Sequence, residues 1–173
     1  MKNQELEKRI QNEIVDFVNT RKTLQLSSIT GEGKPYASYA PFALNDESLY
    51  VLISEIAVHA VNLQKNPFAS VLIIEDEDSA SELFARKRVN YSVVSELIQP
   101  ETESWQQGIK TLVTRHGDRI NNLSDLTDFK LFKLTPTDGR YVKGFGRAYA
   151  FKGDSLASEL EHLRVGHKKK TAA

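Results

Sequence analysis

Between Thr23 and Phe151 short apolar runs of strand length, the first two alternating, are separated by turn-forming residues. That pattern restricts this stretch to antiparallel strands linked by hairpins and short helices. Residues 23–30 alternate, Gly31-Glu32-Gly33-Lys34 reads as a turn, and 35–44 alternates again. Asn45-Asp46-Glu47-Ser48 is a second turn and 49–53 a third strand. Further strands are expected over 68–74, 83–94, 129–134 and 140–151, the last two around a turn at 136–139. Gly144-Phe145-Gly146 then falls within a strand, where glycines mark a bend or a close backbone approach.

Helical spacing interrupts this pattern in four places. Leu6, Ile10, Ile14, Phe17 and Val18 form one apolar stripe over residues 5–20. Residues 57–64 read as a short helix stopped by Asn66-Pro67, because the residue before proline avoids helical dihedrals. A third helix opens near Pro100 and Thr102 and carries Trp105, Ile109, Leu112, Val113 and Ile120. A fourth is expected over 155–163, leading into a flexible tail over 164–173. The expected fold class is α+β, with an antiparallel sheet curled into a small barrel that protects its strand edges.

At 173 residues the chain has the length of one domain, with no visible linker or repeat. Lysine plus arginine and aspartate plus glutamate both number 23. Without a basic excess, nucleic acid is not an expected partner, since phosphate neutralisation drives such binding. No cysteine is present, which removes disulfides, thiolate metal sites and thiol nucleophiles. The opening MKNQELEKRI is too charged for a signal peptide, and no apolar run nears the ~20 residues of a membrane helix. A cytoplasmic location without membrane contact is expected.

No nucleophile-elbow serine, zinc-protease histidine pair or phosphate loop occurs. Of four histidines, His59, His116 and His162 lie in expected helices, where structural roles suffice. His167 follows Gly166 beyond the last periodic residue, on a segment with no core to serve. It is either a solvated tail histidine or a ligand, and spacing does not choose. Asp128, just before a strand, is a turn carboxylate or a site residue. Arg88, central in the expected strand 83–94, either pairs with the acidic run Glu75-Asp76-Glu77-Asp78 or faces a pocket and holds an anion.

Several stretches together resemble a known family. Arg21 to Leu26, Ser38-Tyr39-Ala40-Pro41-Phe42, Val51-Leu52-Ile53-Ser54, and Asn62-Leu63 with Asn66-Pro67 resemble the split β-barrel of pyridoxamine-phosphate-oxidase-like proteins. Within that superfamily, Ile74-Glu75-Asp76-Glu77, Leu83-Phe84-Ala85-Arg86-Lys87-Arg88, Val142 to Tyr149, His162-Leu163 and Gly166-His167 resemble the haem-utilisation proteins of the HutZ and HugZ type, HutZ foremost.

The resemblance implies a homodimer of split barrels that binds haem instead of flavin near the dimer interface. It implies that His167 ligates the iron, that Asp128 supports the imidazole, and that Arg88 belongs to the opposite, distal side. Arg164 and Lys168, beside the implied ligand, are expected to meet the haem propionates. The FMN-binding members carry an Arg-Lys pair where this chain has Val58-His59, so FMN is not expected. The implied activity is oxidative haem degradation with O2 and an external electron donor or reductase, releasing iron. Haem storage or transfer without turnover, and an FMN-dependent oxidoreductase of the same fold, are the alternatives.

Overall fold

The computed structural model describes residues 2–163. Helix α1 (Lys2–Thr20) is followed by β1 (Thr23–Ile29), β2 (Pro35–Pro41), β3 (Ala43–Asn45) and β4 (Ser48–Ser54). Helix α2 (Val58–Lys65) leads to β5 (Phe68–Ile74) and β6 (Arg88–Ile98), then α3 (Glu103–His116) and α4 (Arg119–Ser124). The chain closes with β7 (Phe129–Gly144), β8 (Arg147–Lys152) and β9 (Leu160–His162).

The strands form one antiparallel sheet in the order β2-β1-β5-β6-β7-β4-β3, with β8 and β9 added beside β7. Its two ends, β2 and β3, are separated in the chain by Phe42 alone, so the sheet has to curl until those ends approach. This is the split-barrel expectation met by connectivity. Strand β7 serves both halves: Phe129–Leu134 pairs β4, and its far end from Asp138 pairs β8.

Two apolar clusters hold the sheet on opposite faces. Residues Leu49, Val51 and Ile53 of β4 point into the barrel with Ile10, Ile14 and Val18 of α1. Tyr50 and Leu52, alternating with them, point outward against Leu112, Ile120 and Leu131. A strand covered on both faces reads as a continuous apolar run, as 49–53 does. Each buried aliphatic side chain of α1 contributes about 1.5–3 kcal/mol relative to exposure. Helix α3 begins where Thr102 Oγ1 accepts from the Trp105 amide at 3.2 Å. It lies close on the sheet because Gly108 leaves room: a Cβ there would stand 2.7 Å from Leu131 Cδ2.

The structure corrects five local expectations. Residues 83–87 are not strand, because Leu83–Ala85 form a 3-10 turn capped by Glu82 and β6 begins only at Arg88. The third helix breaks at Gly117, whose φ of +84° no helix accommodates. The 136–139 turn does not exist; that segment continues β7, with a bulge opposite Ser92 and Val93 absorbing its proline. The hairpin turn instead falls at Gly144-Phe145-Gly146, between β7 and β8. Residues 155–163 form no helix but a loop and β9, since Leu160 to His162 pair with β8 more favourably than a short polar helix could pack.

Candidate functional site

Strand alternation presents a second surface, on the outward face of β1, β2, β5 and β6. Inward residues Leu24, Leu26, Val71, Ile73, Val89 and Tyr91 are buried in the core. Their outward neighbours in register are Gln25, Tyr39 and Leu72 with Asn90, and Ser27, Ala37 and Ser70 with Ser92. The small side chains leave a groove of about 490 Å3, bordered by Tyr39, Leu72 and Asn90. Hydrogen bonds level its floor: Asn90 Nδ2 donates to Ser70 Oγ at 3.2 Å, and Ser92 Oγ to Asp138 Oδ1 at 3.0 Å. Tyr39 is 67% and Phe68 65% exposed at its margins. Exposed apolar side chains beside a polar-floored groove are surface that a partner can cover.

Arg88 stands on this outward face at one end, in register with Ile74 and Val142. It is the first residue of β6, not a central one, and its Nη1 donates to the Arg86 carbonyl at 2.9 Å. The acidic run is met by Arg86 instead, whose guanidinium binds the Glu75 carbonyl and pairs with Glu77 at 3.2 Å. Arg88 is therefore not the partner of the acidic cluster.

Asp128 lies at the other end of the same ladder, in the turn before β7. Ser54 Oγ donates to its Oδ2 at 2.5 Å and accepts from the Ile56 amide at 3.1 Å. The Asp128 carbonyl accepts from the Glu55 amide at 2.8 Å. The carboxylate is thus oriented by a hydroxyl that is itself held by backbone. Ile56, 89% exposed, and Val58, 44% exposed, flank this corner.

One chain does not bring Arg88 and Asp128 together. Arg88 pairs with Val142, whereas Ile98 pairs with Leu131, three residues beyond Asp128. At about 3.3 Å per residue the two ends of β6 are roughly 30 Å apart along the strand. Arg164, His167 and Lys168 lie outside the described residues. The other three histidines have structural surroundings. His59 is only 8% exposed in α2, and burial lowers its pKa, favouring neutral imidazole. His116 Nε2 stands 2.8 Å from the Phe42 carbonyl, and His162 packs on Tyr149 with ring centroids 5.0 Å apart. Val58 is uncharged and part-exposed, and His59 beside it is buried.

A larger groove of about 810 Å3 lies along α1, lined by Glu13, Phe17, Arg21 and Lys87 among others. Several of its charges are held in ion pairs. Glu13 pairs with Lys143 at 2.5 Å and Lys87 at 3.9 Å, and Arg21 with Asp76 at 2.9 Å. Ser54 was not legible as a site residue, because 74 positions separate it from Asp128. The small-residue floor was legible in principle, since alternation in β1, β2 and β5 lists which residues face outward.

Comparison with known proteins agrees with the fold. The profile of the pyridoxamine 5'-phosphate oxidase family matches residues 10–143. The heme oxygenase HutZ of Vibrio cholerae is 46% identical over 169 residues, covering 98% of this chain and 96% of that protein. A crystal structure of Vibrio cholerae HutZ, described as a heme storage protein, superposes with a TM-score of 0.74 at 44% identity, covering 77% of this chain and 94% of that one. Campylobacter jejuni ChuZ superposes with a TM-score of 0.84 at 28% identity, covering 94% of this chain and 67% of that one. The curled sheet and the near full-length identity lead to one assignment: the chain belongs to the pyridoxamine 5'-phosphate oxidase family of split barrels, in its HutZ-type branch.

Proposed function

We propose that the protein binds haem between two copies of the chain and degrades it oxidatively with O2 and an external electron donor, releasing iron. The observation that carries this reading is the outward face itself. It carries a small-residue groove, with Arg88 on the same face at the start of β6; the Ser54-held Asp128 stands in the turn before β7, near the opposite end of the β6–β7 ladder. A two-fold axis crossing the strands would set the Arg88 end of one protomer against the Asp128 end of its partner, completing a site that neither copy holds alone. The exposed Tyr39 and Phe68 supply apolar area for that contact.

The residues present suit haem. Ser27, Ala37 and Ser70 admit a flat macrocycle, Leu72, Ile74 and Val142 offer it apolar contact, and Arg88 suits an anionic or oxygen-bearing group. Haem supplies the oxygen-activating chemistry. His167 is proposed as the axial ligand, with Arg164 and Lys168 near the propionates. A carboxylate such as Asp128 on the second ring nitrogen fixes the ligand's tautomer and raises its basicity. An uncharged Val58 and a buried His59 disfavour the FMN phosphate.

Haem storage or transfer without turnover is the second reading, favoured by the description of the HutZ crystal structure as a storage protein. The two separate when purified protein is mixed with hemin and a reductant in air and the Soret band is followed. Loss of the band with release of chelatable iron supports degradation. A stable band across pH and reductant leaves binding alone.

A further inference from the structure

Two tyrosines, Tyr91 and Tyr141, are completely buried in the barrel, and their hydroxyls end on very different acceptors. Tyr91 donates to the Leu156 carbonyl at 2.9 Å, and its ring meets Phe151 edge-on at 5.8 Å. A carbonyl oxygen holds a phenol in place but cannot take its proton. Tyr141 donates instead to Glu13 Oε1 at 2.7 Å, and Lys143 Nζ holds Glu13 Oε2 at 2.5 Å. Structural anchoring explains Tyr91 fully; it does not explain why the buried Tyr141 hydroxyl ends on a half-buried carboxylate with an ammonium behind it.

The rings around Tyr141 are also arranged differently. Tyr141 stacks on Tyr149 with centroids 6.4 Å apart and planes 26° apart. Tyr149 is half-buried and packs on His162 at the surface, 5.0 Å away. Two stacked phenols therefore run from the half-buried Tyr149, beside strand β9, to the Tyr141–Glu13 hydrogen bond.

We infer that Tyr141 is a redox-active tyrosine, with Glu13 as its resident proton acceptor and Tyr149 as its connection to the surface. The ring loses one electron to a strong one-electron oxidant. The O–H proton passes along the existing hydrogen bond to Glu13 Oε1. The products are a neutral tyrosyl radical, a protonated Glu13 and the one-electron-reduced oxidant. Return of an electron sends the proton back, and Lys143 keeps Glu13 in place throughout. In the resting protein burial holds the phenol far above its ordinary titration range, so the proton leaves only with the electron. The site takes as its oxidant class the high-potential species formed when haem meets peroxide, and this physiological assignment alone rests on the proposed haem reading.

The test uses the full, haem-free chain. Tris(bipyridyl)ruthenium is flash-oxidised with persulfate in its presence, and the frozen sample is read by electron paramagnetic resonance. The wild type should give a persistent neutral tyrosyl signal that Tyr91→Phe retains and Tyr141→Phe loses. Glu13→Gln, which still accepts a hydrogen bond but no longer takes the proton, should lower the yield as Tyr141→Phe does. Equal signals in wild type and Tyr141→Phe, or a signal lost in Tyr39→Phe instead, place the radical on a surface phenol and overturn the inference. A wild-type yield in Glu13→Gln overturns the role given to Glu13. Haem affinity, titrated separately by the Soret band, reports the haem reading independently of these outcomes.

Discussion

The Ser54 hydroxyl donates to Asp128 Oδ2 across 2.5 Å, joining the end of β4 to the turn that opens β7. The bond fixes one carboxylate oxygen and leaves the residue half-buried at the exposed corner formed by Ile56 and Val58. This orientation is what a carboxylate needs if it is to hold a second group in a fixed direction.

Asp128→Asn keeps the shape and removes the charge. Haem should still bind, while the iron–histidine stretching frequency shifts and turnover falls by roughly 10–100-fold, the usual cost of losing a partner of a metal-bound imidazole. Ser54→Ala should shift the same vibration by a smaller amount and cost about 1 kcal/mol of stability. Resonance Raman spectra and single-turnover rates measure both. An unchanged spectrum in Asp128→Asn returns the residue to a purely local role in its turn.

His167→Ala should lose the axial-ligand signature and degradation together, whereas His59→Ala, His116→Ala and His162→Ala should retain both. The contrast follows from the structural surroundings of the last three. A native Soret position in His167→Ala would show that another residue holds the iron.

In solution the mass at micromolar concentration should be near twice the 19.5 kDa of one chain. Charges placed on the outward face, as in Tyr39→Asp with Phe68→Asp, should yield monomers, because unpaired carboxylates resist desolvation in an apolar contact. Sedimentation velocity distinguishes the two states. A wild-type monomer removes the shared site.

Protein gel-filtered after incubation with FMN should carry no stoichiometric flavin absorbance. Val58 is uncharged, and burial favours the neutral imidazole of His59, so neither offers a cation to the FMN phosphate. Retained flavin at one per chain contradicts the reading.

Burial works to raise the Glu13 pKa, but hydrogen bonds from Lys143 and Tyr141 and the charges of Lys143 and Lys87 outweigh it and hold the carboxyl below the ordinary carboxylate range. A depressed folded-state pKa contributes stability that is complete above the unfolded value of 4.5 and is lost as pH falls through the folded one. Glu13→Gln should therefore be less stable than wild type near neutrality, by about 2 kcal/mol for its charged hydrogen bonds. The difference should shrink on acidification below the ordinary carboxylate pKa. Urea denaturation at several pH values measures it, and a pH-independent difference would rule the ionic contribution out.

The amino-acid sequence alone carried the α+β class, the amphipathic α1 and most of the strands, because periodicity records which side of an element is buried. It also carried the candidates Asp128 and Arg88 and the family resemblance, since those depend on residue types in order. Tertiary structure decided the rest. Strand β7 runs on through Pro136 because a bulge against β6 absorbs the missing donor, and β9 replaces a helix because β8 offers it a ladder; β6 is remote from Pro136 in sequence, and β8 meets β9 only across an intervening loop. The Ser54–Asp128 and Glu13–Tyr141 bonds join residues 74 and 128 positions apart, a separation that no local pattern encodes. That Arg88 and Asp128 stand at opposite ends of one ladder follows only from strand register, which is fixed by packing both faces of the curled sheet at once.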